Sequence, residues 1–162
     1  MNASGTALRP ATAGDLDALN GVIERAVMTW DLPERVKRLS LPSYRYSPLD
    51  LDHLQVVVAE QAPYGIVGAA GWEPAAAGDA PTGQRALLLH GLYVDPAQQR
   101  RGIGTRLLQT AEQAARHASL DGLVVKAQRG AESFFIANGF VALPVDDAAR
   151  DYPHRLWKPV GG

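Results

Sequence analysis

The sequence predicts an α/β protein with a single mixed, mostly antiparallel sheet flanked by helices. Three observations predict it. The element order reads β-α-α-β-β-β-α-β-α-β-β, with no repeat or clear linker to interrupt it. The 162 residues are 46% hydrophobic and 20% charged, enough for one buried core and unlike a disordered chain. An apolar run at Ala86–Val94 ends in Asp95-Pro96, and a glycine-bearing turn then opens an amphipathic helix.

Each element has its own warrant. Leu8 and Arg9 form a short opening strand stopped by Pro10. Thr12 and Asp15 have capping-box spacing, with Asp a weaker partner than Glu. Leu16, Leu19, Ile23, Ala26, Val27 and Trp30 then recur at helical spacing, which predicts a helix over about 13–29. Pro33 suits the first turn of a second, short helix ending near Leu39. The Pro- and Ser-bearing stretch from Ser40 to Asp52 reads as a loop with one helical turn near Leu49. Gln55–Glu60 and Tyr64–Trp72 flank a turn at Pro63 and predict an antiparallel hairpin.

The Ala/Gly/Pro-rich segment from Glu73 to Gln84 reads as a mobile surface loop. Ile103, Leu107, Leu108, Ala111, Ala114, Ala115 and Ala118 share one face of the next helix. Leu123–Ala127 is a strand, Ala131–Asn138 a short helix, and Gly139 its left-handed terminator. Phe140–Leu143 and Arg155–Lys158 close the sheet. One domain over residues 1–162 is expected, with about the first six residues outside its order.

Several function classes lose ground at once. Sixteen Lys and Arg against seventeen Asp and Glu leave a net charge of -1, so no broad nucleic-acid surface is indicated. With no cysteine, a thiolate zinc site, a disulfide and a Cys nucleophile are all excluded. The four histidines, at 53, 90, 117 and 154, have no metal-site spacing, so no metal is expected. No apolar run is long enough to span a bilayer, and the first residues lack a signal-peptide pattern. A cytoplasmic protein without membrane contact is the expectation.

The chemistry is concentrated in Leu92-Tyr93-Val94-Asp95-Pro96-Ala97-Gln98-Gln99-Arg100-Arg101-Gly102-Ile103-Gly104-Thr105. A helix start offers unpaired N–H groups and a partial positive charge. Gly102 and Gly104 let a phosphate approach the backbone, and Arg100 and Arg101 add charge. The spacing fits neither a Walker loop nor a complete dinucleotide fingerprint, because Leu107 stands where a third glycine would fall. On Gly-x-Gly alone, an ordinary glycine-rich turn carrying surface arginines is the better reading.

A resemblance moves the balance. Gln99-Arg100-Arg101-Gly102-Ile103-Gly104 resembles the Gln/Arg-x-x-Gly-x-Gly/Ala signature of the GNAT N-acetyltransferase superfamily. Ala131-Glu132-Ser133-Phe134-Phe135-Ile136-Ala137-Asn138-Gly139-Phe140 resembles that family's Ala-x-x-Phe-Tyr-x-x-x-Gly-Phe motif. The blocks follow the family's order and spacing, and the element order agrees over nearly the whole chain.

The resemblance implies a GNAT-like sheet with splayed central strands and acetyl transfer from acetyl-coenzyme A to a primary amine. It implies pantetheine pairing near Leu92 and Val94. It places the pyrophosphate on the amides from Gln99 through Arg100, Arg101, Gly102, Ile103 and Gly104 to Thr105. Gln128 stands where the family often has Asn, and Phe135, also expected at the cofactor, stands where it often has a proton-donating Tyr. Phe135 has no hydroxyl, so Tyr93, Tyr152 and Ser133 are the substitutes open to the chain.

His90 shares strand parity with Leu92 and Val94 and is the candidate base for the incoming amine, against a packed sheet histidine. Trp30, Tyr44 and His154 are the candidate acceptor-binding residues. The acceptor is a small-molecule amine or a protein amine, and a homodimer is one assembly open to the chain. The alternative is a non-catalytic acyl-coenzyme A-binding sensor or regulatory domain, for which the missing hydroxyl of Phe135 is the motive.

Overall fold

The computed structural model describes residues 5–127, 131–149 and 152–161. Among the described residues, seven strands form one mixed sheet in the order β1-β2-β3-β4-β5-β7-β6. They are β1 (Thr6–Pro10), β2 (Gln55–Gln61), β3 (Gly65–Pro74), β4 (Ala86–Val94), β5 (Gly122–Lys126), β6 (Val141–Ala142) and β7 (Arg155–Pro159). The helices are α1 (Leu16–Met28), α2 (Glu34–Tyr44), α3 (Pro48–His53), α4 (Ile103–His117) and α5 (Glu132–Ala137).

Pairing is antiparallel for β1 with β2, β5 with β7 and β6 with β7, and parallel for β4 with β5. The bonds Asp95 N–H to Val67 O (2.8 Å) and Ala75 N–H to Ala86 O (2.9 Å) run β3 against β4 antiparallel. The predicted mixed, mostly antiparallel sheet is therefore present.

By compactness the chain divides into two units, 1–71 with 91–108 and 72–90 with 109–162. In the first, the apolar stripe of α1 buries Leu19, Val22, Ile23, Ala26 and Val27 against Val56 and Val58 of β2 and Ile66 and Ala69 of β3. Removing such side chains from water is the main stabilising contribution. A Cβ on Gly68 would come within 3.1–3.2 Å of Leu107 and Ile103, so the glycine lets the first turns of α4 sit close to β3.

Thr6, the last residue of the segment expected to lie outside the order, opens β1 opposite Gln61. Pro10 is tolerated because β1 is an edge strand. At the start of the first helical segment, the Asp15 carboxylate accepts from the Thr12 N–H (2.7 Å) and its hydroxyl (3.0 Å). Arg9 also grips Asp15 through both terminal nitrogens, at 2.8 and 2.9 Å. That contact holds the Asp15 carboxyl well below the usual carboxylate range.

The second unit packs Ala80, Ala86, Val124 and Trp157 together, with Leu88 and Leu143 against them. Gly139, at φ +96, ends α5 as expected from sequence, and Phe140 N–H bonds back to Phe135 O at 3.0 Å.

Two expectations are corrected. The short second helix does not stop near Leu39: α2 runs to Tyr44 with Pro42 inside it, because buried Leu41 anchors its last turn. The segment after Trp72 is not simply a surface loop. Glu73 and Pro74 continue β3, and a 3-10 turn follows at Ala77–Asp79. Buried Arg155 donates to the carbonyls of Gly78 (2.8 Å), Asp79 (3.2 Å) and Pro144 (3.3 Å), and Lys126 pairs with Asp79 at 3.2 Å.

Candidate functional site

The turn before α4 is built by its backbone. Arg100 has φ +67 and Gly102 φ +79, so two nearby residues occupy the left-handed region. A side chain at Arg100 is uncommon there, whereas Gly102 adopts it without penalty. Such a turn, feeding a helix start, can aim successive N–H groups at an anion. A Cβ on Gly102 would meet nothing within 4 Å, so the space beside it is open. Gln99 and Arg100 are exposed, Arg101, Gly104 and Thr105 half-buried, and Ile103 anchors the turn at 1% exposure.

Asp95 fixes the approach to this turn. One carboxylate oxygen accepts from the Ala97 N–H at 3.1 Å. The other accepts from Arg25 Nε (3.0 Å) and Nη2 (2.8 Å) on α1. Upstream, β4 pairs with β5 only from Ala86 to Leu89 among the described residues, yet continues to Val94. Half-buried Leu92 and Val94 lie on the part of β4 beyond those described pairs. Tyr93 points the other way and is buried.

An aromatic wall belongs to the first unit. The Trp30 and Tyr44 rings meet edge to face, with centroids 5.3 Å apart, so the structure brings these two candidate residues together. Both pack on the buried cluster containing Tyr46 and Tyr93. Asn20 clamps the Tyr46 backbone through two 2.9 Å hydrogen bonds, one to its carbonyl and one from its N–H. Gly71 and Gly91 make room for these phenols, since a Cβ at either would lie 2.6 Å from a tyrosine atom. Burial pushes the Tyr46 and Tyr93 phenols well above their ordinary range. Glycines within two strands were the available sign of this wall, but sequence alone did not say which aromatic filled each notch.

The second unit holds two imidazole–carboxylate pairs. His90 Nε2 lies 2.7 Å from Glu73 Oε2, with both side chains partly exposed. His154 Nδ1 lies 2.9 Å from Glu132 Oε2 in the first turn of α5. Neither glutamate was singled out from sequence, because each lies far from its partner along the chain. Phe135 is buried edge to face between Phe134 and Phe140, at centroid distances of 5.2 and 5.3 Å. Gln128 lies outside the described residues.

Among the described residues no group of three or more His, Asp or Glu could hold a metal ion, and no helix is long and apolar enough to cross a membrane.

Comparison with known proteins agrees with this architecture. PaiA N-acetyltransferase of Thermoplasma acidophilum, solved in complex with coenzyme A, superposes with a TM-score of 0.76 at 18% identity, over 95% of this chain and 98% of that one. A GCN5-related N-acetyltransferase of Rhodopseudomonas palustris gives 0.73 at 21% identity, over 96% of each chain. A GNAT family acetyltransferase of Brucella melitensis, in complex with acetyl-CoA, gives 0.65 at 20% identity, over 97% and 89%. These similarities establish the fold. No curated protein matches by sequence. The family model described as "Acetyltransferase (GNAT) domain" matches residues 52–142, more than half of the chain. The chain therefore belongs to the GNAT acetyltransferase family.

Proposed function

We propose that the chain transfers an acetyl group from acetyl-coenzyme A to a primary amine by direct attack. The observation that carries this reading is the left-handed turn at Arg100 and Gly102, which follows the end of β4 and opens α4. The residues fit the substrate. The amides from Gln99 to Thr105 receive the pyrophosphate, Arg100 and Arg101 supply charge, and the β4 edge at Leu92 and Val94 pairs with pantetheine. Gln128 and Phe135 are assigned to the same substrate. Coenzyme A and acetyl-CoA in two solved relatives support the choice.

The acceptor amine must lose a proton to attack the thioester carbonyl. With Nε2 of His90 engaged by Glu73, Nδ1 is the nitrogen that takes it. A backbone N–H near Val94 stabilises the oxyanion that forms. Trp30 and Tyr44 are assigned to the acceptor, which is a small-molecule or protein amine, and His154 stands as a further acceptor contact. With no cysteine in the chain, a cysteine-bound acyl intermediate is impossible.

A screen of amines with acetyl-coenzyme A, read by free-thiol release, tests the reading. Amine-dependent release supports it. One observation favours a second reading, a non-catalytic acyl-coenzyme A sensor: Phe135 is packed in aromatic rings and carries no hydroxyl. Tight binding without release over a broad panel would establish the sensor instead.

A further inference from the structure

We propose that Arg25, on α1, is a positioning residue for the turn assigned to the coenzyme A pyrophosphate, and that it acts through Asp95. The assignment rests on the acetyl-coenzyme A reading above. It adds to the binding apparatus a residue that lies outside both sequence motifs.

The turn from Gln99 to Thr105 is anchored at its far end by Ile103, which is buried. Ahead of the turn the holding bonds converge on Asp95. Its N–H donates to Val67 O on β3 at 2.8 Å, and its carbonyl accepts from Gln98 N–H at 2.8 Å. One carboxylate oxygen accepts from Ala97 N–H at 3.1 Å and caps the 3-10 turn Pro96–Gln98 that leads into Gln99. Arg25 grips the other oxygen with two nitrogens, Nε at 3.0 Å and Nη2 at 2.8 Å. A planar guanidinium engaged through two nitrogens fixes the direction of the carboxylate as well as its place. Every residue in this chain of contacts belongs to the first compact unit.

α1 is shaped for that reach. Gly21 stands one turn before Arg25 in the helix interior, where glycine is among the poorest helix formers. A Cβ on Gly21 would come within 3.2 Å of Arg25 Nη1, so the bare backbone leaves room for the guanidinium to lie back along α1. The charge also matters. Asp95 is the only acidic residue from 91 to 108, on a segment that would meet an anion. Arg25 offsets that charge where it would oppose a phosphate. The Arg25 side chain is 54% exposed, so the pair adds little to global stability. Its effect belongs in affinity for the anion.

The test titrates acetyl-coenzyme A calorimetrically into the full chain and its variants, then repeats the comparison in steady-state assays with an amine from the screen. Arg25→Met should weaken binding about fivefold and raise the KM for acetyl-coenzyme A alike, with kcat and the thermal unfolding midpoint little changed. Arg25→Lys keeps the charge but offers one nitrogen, and should recover part of the affinity. Asp95→Asn should also weaken binding, and adding Arg25→Met to it should lose little more, because both act through one contact. Equal affinity in Arg25→Met and the unaltered chain overturns the assignment. Losses that multiply in the double variant overturn it too, as does a fall in kcat with KM unmoved. If the unaltered chain does not bind acetyl-coenzyme A, the cofactor reading itself fails and this assignment falls with it. Binding by the unaltered chain thus separates the two failures.

Discussion

Nε2 of His90 lies 2.7 Å from Oε2 of Glu73, joining β4 to the end of β3 through a side-chain pair that neither residue's own segment foretells. The carboxylate fixes which imidazole nitrogen faces outward, in the way an acid residue orients a catalytic histidine. His90→Ala should depress kcat about a hundredfold. Glu73→Gln should lower kcat less, and Glu73→Asp should recover part of the loss. Steady-state rates check both, and an unaltered kcat in His90→Ala would transfer the role to water.

Arg100 holds φ +67, where an L side chain is strained. Arg100→Gly should raise stability by up to about 1 kcal/mol, read as a higher urea midpoint. The same change should weaken coenzyme A binding several-fold by removing a cation. Gains in both stability and affinity would show that the guanidinium plays no part at the phosphate.

Buried Arg155 ties three carbonyls from two segments. Arg155→Met should cost about 2 kcal/mol, since it removes the charged donor that ties these carbonyls together. Chemical denaturation measures the loss, and proteolysis should map new cleavage near Gly78. Unchanged stability would mean that solvent satisfies those carbonyls equally well.

Asp15 illustrates the pH linkage. Its carboxyl is depressed in the fold by Arg9 and by Thr12. A depressed carboxylate contributes stability above its unfolded value near 4, and that contribution fades as pH falls through the folded value. Thermal midpoints should therefore drop on acidification below about pH 4. Asp15→Asn should start lower at neutral pH and fall less steeply. A parallel decline in both proteins would remove Asp15 from the acid response.

The sheet was legible because its apolar runs and turn residues are local. The hairpin, the apolar β4 run and the glycine-bearing turn each state their geometry within a dozen residues. Pro42 misled because burial of Leu41 beside it offsets the helix bond that the proline removes. The segment after Trp72 misled because its order comes from Arg155 and Lys126, residues far along the chain. The same distance hid Glu73 and Glu132. Motif residues were readable one by one, but the carboxylates that orient two histidines exist only once the chain folds.

The central claim is that the turn from Gln99 to Thr105 receives the pyrophosphate of coenzyme A. Calorimetric titration of acetyl-coenzyme A into the unaltered chain and into Gly102→Glu tests it most directly. The variant places a bulky carboxylate at φ +79, in the space a phosphate would fill. Saturable binding to the unaltered chain, abolished in a folded Gly102→Glu, is the predicted result. Equal affinity in the two proteins, or no binding to the unaltered chain, would contradict it.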